Sequence, residues 1–142
     1  MTEARPYSIR GFEISQYVIL ALGLINSGLT YEHNLTLVRI AGHEPIFVIL
    51  IVAFTFAILL LFVWLIAYRA SNVAKWIFIA FSAFGLLALL NPRANFLQNG
   101  AISAAISLTQ FALTAISVLL LFRRDSRDWF AGRRAVDPDI FS

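Results

Sequence analysis

Ser103, Ser107, Gln110, Thr114 and Ser117 recur at spacings of four, three, four and three within an otherwise apolar stretch. That period places all five on one face of a helix. Ala104, Ala105, Ala112 and Ala115 keep much of the surrounding surface small. Lipid does not favour such a stripe, so it is expected to face protein. Small and hydroxylated residues allow helices to approach closely and to exchange hydrogen bonds, which makes packing the first reading. A polar path or substrate groove is the second. Gln110 carries the largest demand, because its amide is costly in hydrocarbon without a partner. The expected contact faces are Gly23, Asn26 and Ser27 near the N-terminus, with Gly23 and Ser27 in small-xxx-small spacing, and Ser82 and Gly85 farther along.

Other chemistry is sparse. No Asp, Glu, Lys, Arg or His lies deep in an apolar run, whereas proton-coupled transport commonly uses an embedded carboxylate or His. Glu13 comes nearest, and it is read as an interfacial carboxylate balanced by Arg10. His33 and His43, beside Glu32 and Glu44, match no compact zinc-ligand spacing and are read as solvated. Asn34-Leu35-Thr36 is a glycosylation sequon, relevant only in a secretory-pathway organism. The sequence contains no Cys, which removes thiolate nucleophiles and Cys-ligated metals. No phosphate-binding loop, dinucleotide glycine pattern or nucleophile elbow is present. No catalytic residue, metal or cofactor is expected, and nothing supports a nucleic-acid partner.

These residues sit in a chain built for lipid. Of 142 residues, 60% are hydrophobic and 13% are charged, against about 25% charged in a soluble domain. The expected fold is all-α: one membrane domain over 1–142, a bundle of four transmembrane helices. The spans are read at about 12–30, 46–68, 73–90 and 100–122, with a tail over 123–142. The second span is the clearest, uncharged and about 35 Å long at 1.5 Å per residue. A hydrocarbon core is about 30 Å thick. Asn91-Pro92 reads as a helix stop. The first run follows Arg5 and Arg10 as a signal peptide would, but Asn26-Ser27-Gly28 does not match a small-x-small cleavage site. The Thr30–Glu44 link contains Leu35, Leu37, Val38 and Ile40 and is expected to lie on the membrane surface as a partial amphipathic turn.

Orientation follows from Lys and Arg. In a four-span arrangement nine of the eleven fall on one side, with only Arg39 and Arg93 opposite. The positive-inside rule then puts both termini in the cytoplasm. Trp64, Trp76 and Trp129 map to the same side and are expected to anchor at headgroup level, with Lys75, Arg123 and Arg124. The stem of Lys75 is expected to snorkel. The last helix is expected to run on through Arg123–Ala131, pairing Arg124 with Asp128, with Ile140 and Phe141 forming a docking element in the tail.

The Arg-x-Ser-x-x-x-Lys-Trp join at Arg69–Trp76 and the ending Leu-Leu-Leu-Phe-Arg-Arg-Asp-Ser-Arg-Asp-Trp-Phe at Leu119–Phe130 resemble small, largely uncharacterised four-helix inner-membrane proteins of bacteria. The resemblance implies a bacterial inner-membrane location and brings no catalytic residues. The expected role is non-catalytic: an accessory, assembly or stabilising subunit of a larger membrane complex, with the bilayer and other subunits, or further copies of the chain, as partners. The alternative is a small homo-oligomeric transporter or channel using the polar face of the fourth span.

Overall fold

The computed structural model of the protein describes residues 5–88 and 92–131. Among them every regular element is helical: α1 (Tyr7–Leu29), α2 (Tyr31–Ile40), α3 (Ile46–Ala67), α4 (Asn72–Ala88), α5 (Pro92–Leu121) and α6 (Arg124–Phe130). Three stretches are long and apolar enough to cross a membrane: Tyr7–Leu29, Ile46–Ala67 and Gly100–Leu121. This is the pattern of a multi-pass membrane protein. α4 is apolar but shorter, at 17 residues, about 26 Å of helix.

Local chemistry sets most helix ends. α1 starts directly after Pro6, whose fixed φ and missing N–H suit a helix entrance. Gly42 takes a left-handed φ of 76° just past α2, where a side chain would be strained. Ser71 caps α4, its hydroxyl accepting the Ala74 N–H at 3.2 Å. Within α5, Gly100 breaks the helical path at φ 79°, ψ 169°. The stretch between the third and fourth expected spans is helical over residues 92–99. Proline stops a preceding helix and also favours the first position of the next one.

α1 packs most extensively against α5, and α3 packs against both α1 and α4. The core gathers at one end, where Ile9 and Phe12 of α1 meet Ile66 and Ala67 of α3, Phe78 of α4 and Leu121 of α5. Trp129 and Phe130 of α6 close over it. The start of α1, the end of α3, the start of α4 and the end of α5 therefore share one end, which also holds Arg5, Arg10, Arg69, Lys75 and Arg123. Elsewhere the helices show apolar side chains outward. Of the 22 residues of α3, only Val48, Val63, Ile66 and Ala67 are buried.

Two expectations about the end of the chain are corrected. The last long helix does not continue past Leu121; Arg123 is extended (φ −62°, ψ 157°) and α6 starts as a separate helix. Ser126 makes the bend, donating its hydroxyl to the Leu120 carbonyl at 2.8 Å. Arg124 and Asp128 form no ion pair; the one ion pair among the described residues is Arg5–Glu13. The proposed docking residues Ile140 and Phe141 lie outside the described residues.

Candidate functional site

The polar residues of α5 meet α1 along a ladder of hydrogen bonds. Ser103, 3% exposed, donates to Asn26 Oδ1 at 2.6 Å. Seven residues on, Gln110 Nε2 donates to the Ile19 carbonyl at 3.0 Å. After another seven, the buried Ser117 accepts from Gln16 Nε2 at 3.0 Å. Seven residues are two turns, so the three rungs share one face of α5, and their partners on α1 step back by seven and then three residues, which keeps them on one side of that helix. Gly23 permits the approach: a Cβ there would stand 3.3 Å from Gln110 Nε2. Asn26 and Gln110 thus serve successive rungs rather than meeting each other.

The ladder continues beyond α5. Ser8 and Ser126 share a hydrogen bond of 2.6 Å between their hydroxyls. Since Ser126 gives its own proton to Leu120, Ser8 is the donor. Pro6 offers no side-chain cap to α1, and Asp125 supplies one from 117 residues away, accepting the Ser8 N–H at 3.2 Å. A carboxylate at a helix N-terminus satisfies an orphan donor and complements the macrodipole. Burial opposes the Asp125 charge, but the Ser8 hydrogen bonds, its own backbone and nearby Arg123 outweigh this and hold its carboxyl below the usual value of 3.8. A depressed carboxyl stabilises the fold above its unfolded pKa, and that contribution fades as pH falls through the lower folded value. A spin label at Asp128→Cys is therefore expected to gain mobility only below about pH 3.8. Asp125→Ala should make it mobile across the range; a pH-insensitive label in the parent chain would contradict the cap.

Glu13 is placed differently from the expectation. It is only 7% exposed, and its partner is Arg5, with Arg5 Nη1 2.7 Å from Glu13 Oε2, not Arg10. Tyr68 donates to its other oxygen at 2.9 Å and Tyr17 at 3.4 Å. The Arg5 guanidinium lies 4.4 Å from the Tyr68 ring centroid. Arg10 points outward, exposed. A carboxylate holding a cation and two phenols has its acceptors occupied, so the cluster ties α1 to the end of α3.

The anchoring residues divide. Trp64 and Trp76 are about half exposed. Arg69 lies over Trp64 at 5.6 Å, and Trp76 stands edge-on to Phe122 at 6.0 Å. Lys75 is 7% exposed, with its ammonium 4.7 Å from the Phe130 ring centroid and 5.4 Å from that of Trp76. Trp129 packs on the core, while Arg123 and Arg124 are exposed.

Ser82 and Gly85 of α4 do not pack on the polar face as expected. Among the described residues a Cβ on Gly85 would meet nothing within 4 Å, because a cavity of about 550 Å³ separates them from Ser107, Gln110 and Thr114. α4 is held by its first turns: Ala74, Lys75 and Phe78 are buried, while Phe81 and Phe84 are 66% and 73% exposed. Ser27 borders a second recess, with Gly28 and Tyr31 against α3. His33 and His43 are exposed, His43 against the Phe47 ring at 5.1 Å. No three His, Asp or Glu side chains come together as metal ligands among the described residues. Asn34 sits in α2 with its amide donating to Thr30 Oγ1 at 3.2 Å.

Sequence reading passed over Ser8, Gln16 and Ser126. Ser8, Phe12, Gln16, Ile19, Gly23 and Asn26 follow spacings of four, four, three, four and three. Starting the first helix near residue 12 hid the upper part of that stripe. No protein-family model, curated protein or solved structure matches this chain.

Proposed function

We propose that the protein is a non-catalytic membrane protein that crosses the bilayer four times, with both termini cytoplasmic, in a bacterial inner membrane, and that its role is association: an accessory, assembly or stabilising subunit of a larger membrane complex. The observation that carries this reading is the ladder between α1 and α5. It uses Ser103, Gln110 and Ser117 within the chain, as packing requires, and so argues against a continuous polar track.

The four crossings are supported by connectivity. α1 and α5 lie antiparallel, and α3 ends beside the start of α1. α4 begins at that same end, whereas α5 begins at the opposite one. A traverse of the bundle between Asn72 and Gly100 is the reading this connectivity supports, although α4 is short for a span. The basic end is then the cytoplasmic end by the positive-inside rule. The exposed Phe84 on α4 offers an apolar surface to another subunit.

Purification in mild detergent tests the role. A foreign membrane subunit held at fixed stoichiometry and released by a Phe84→Ala variant is the expected result. A homo-oligomer that conducts solute in liposomes would replace it with the transporter reading, for which the cavity beside Ser107 and Thr114 is the supporting feature.

A further inference from the structure

We propose that the cavity between α3, α4 and α5 is a binding site for an uncharged, largely apolar molecule carrying a hydroxyl group, such as a membrane-dissolved phenol or long-chain alcohol. Its volume of about 550 Å³ lies within the roughly 300–1,000 Å³ of small-molecule sites. Phe54, Phe62, Phe81 and Phe111 supply apolar walls, and no charged residue lines it among the described residues. A charged ligand would enter without a counterion, at high cost.

The polar groups around the cavity are of two kinds. Thr55, Ser82 and Thr114 give their hydroxyl protons to carbonyls of their own helices, each at 2.8 Å. Gln110 and Ser107 are different. Gln110 Nε2 is committed to the Ile19 carbonyl, which fixes the orientation of the amide, since its oxygen would repel that carbonyl. Gln110 Oε1 is therefore left as an acceptor, with no donor among the described residues. The Ser107 hydroxyl makes no hydrogen bond among them. Both residues line the cavity, three positions apart on one helix face. Gln16, only 2% exposed, lines it as well. Its Nε2 is engaged with Ser117, and its Oε1 meets no donor among the described residues.

Two amide oxygens and one hydroxyl in an apolar recess ask for a ligand atom that donates and accepts together. A hydroxyl does both, giving its proton to a glutamine oxygen and accepting from Ser107. An acyl chain offers neither, and a ketone or ether cannot donate. Gly85 leaves the α4 side open, with nothing within 4 Å of its Cβ position among the described residues.

Binding of 4-octylphenol and octylbenzene to the full chain in mild detergent tests this, read as the ligand-dependent rise in unfolding midpoint. The phenol should bind saturably and about tenfold more tightly than the hydrocarbon, equivalent to ~1.4 kcal/mol. Gly85→Leu should fill the cavity and abolish the phenol response while leaving the ligand-free midpoint in place. Ser107→Ala removes one oxygen and should weaken phenol binding with no effect on octylbenzene, which keeps the test intact if Gly85→Leu fails to fold. Equal affinity for the two compounds, as an acyl-chain groove or a water-filled void would give, overturns the proposal. So does phenol binding that survives Gly85→Leu.

Discussion

Phe12→Ala is expected to destabilise the protein by about 3 kcal/mol. Phe12 is fully buried and stands edge-on to Phe78, with centroids 5.4 Å apart and planes at 88°. It touches the cluster that gathers α1, α3, α4 and α5. Phe→Ala in a packed core costs about 3–5 kcal/mol, part of it from transfer and part from the void left behind. Surrounding lipid is itself apolar, which shrinks the transfer part and leaves the packing loss. The aromatic pair adds about 0.5–1.5 kcal/mol beyond area. The lower end of the core range is therefore expected. Reversible unfolding in mixed micelles measures it, and a loss under about 1 kcal/mol would mean that the common end is not the core.

The second large effect is at Gly23. Gly23→Leu should destabilise by about 2–4 kcal/mol, combining overpacking of about 1–3 kcal/mol with a lost interhelical hydrogen bond of about 0.6–1.7 kcal/mol. A Cβ at Gly23 would lie 3.3 Å from Gln110 Nε2 and 3.5 Å from Phe56 Cζ. The longer side chain must push α1 from α5 or expel Gln110 from the Ile19 carbonyl. Gly28→Leu is the matched control, since nothing lies within 4 Å of its Cβ position. It should change stability by no more than about 0.5 kcal/mol. Equal effects at the two glycines would mean that helix propensity, not contact with α5, decides the response.

The polar face of α5 was legible because hydroxyls at a regular period are conspicuous against Leu and Ala. The partner of that face was half legible. Gly23 and Asn26 stand out in an apolar run, whereas Gln16 and Ser8 fall in a polar N-terminal stretch where they look ordinary. Features created by tertiary contact were not legible. The choice of Arg5 over Arg10 for Glu13 depends on where the residue before Pro6 sits against α1. The bend at Phe122–Arg123 has no Gly or Pro to announce it, and is made by Ser126 reaching Leu120 and Ser8. The burial of Lys75 depends on Phe130, which only the bend brings near. The cavity beside Gly85 is a place where helices do not touch, and no local pattern encodes it.

The proposed topology has an even number of crossings, with the start of α1 and α6 on one side and α2 on the other. The chain has no Cys, so single cysteines can be placed at the exposed positions Arg10, His33 and Asp128 and labelled with a membrane-impermeant maleimide in intact cells. Arg10→Cys and Asp128→Cys should react only after permeabilisation, and His33→Cys without it. Labelling of Arg10→Cys and Asp128→Cys from opposite sides would mean three crossings, with α4 failing to span, and would contradict the account.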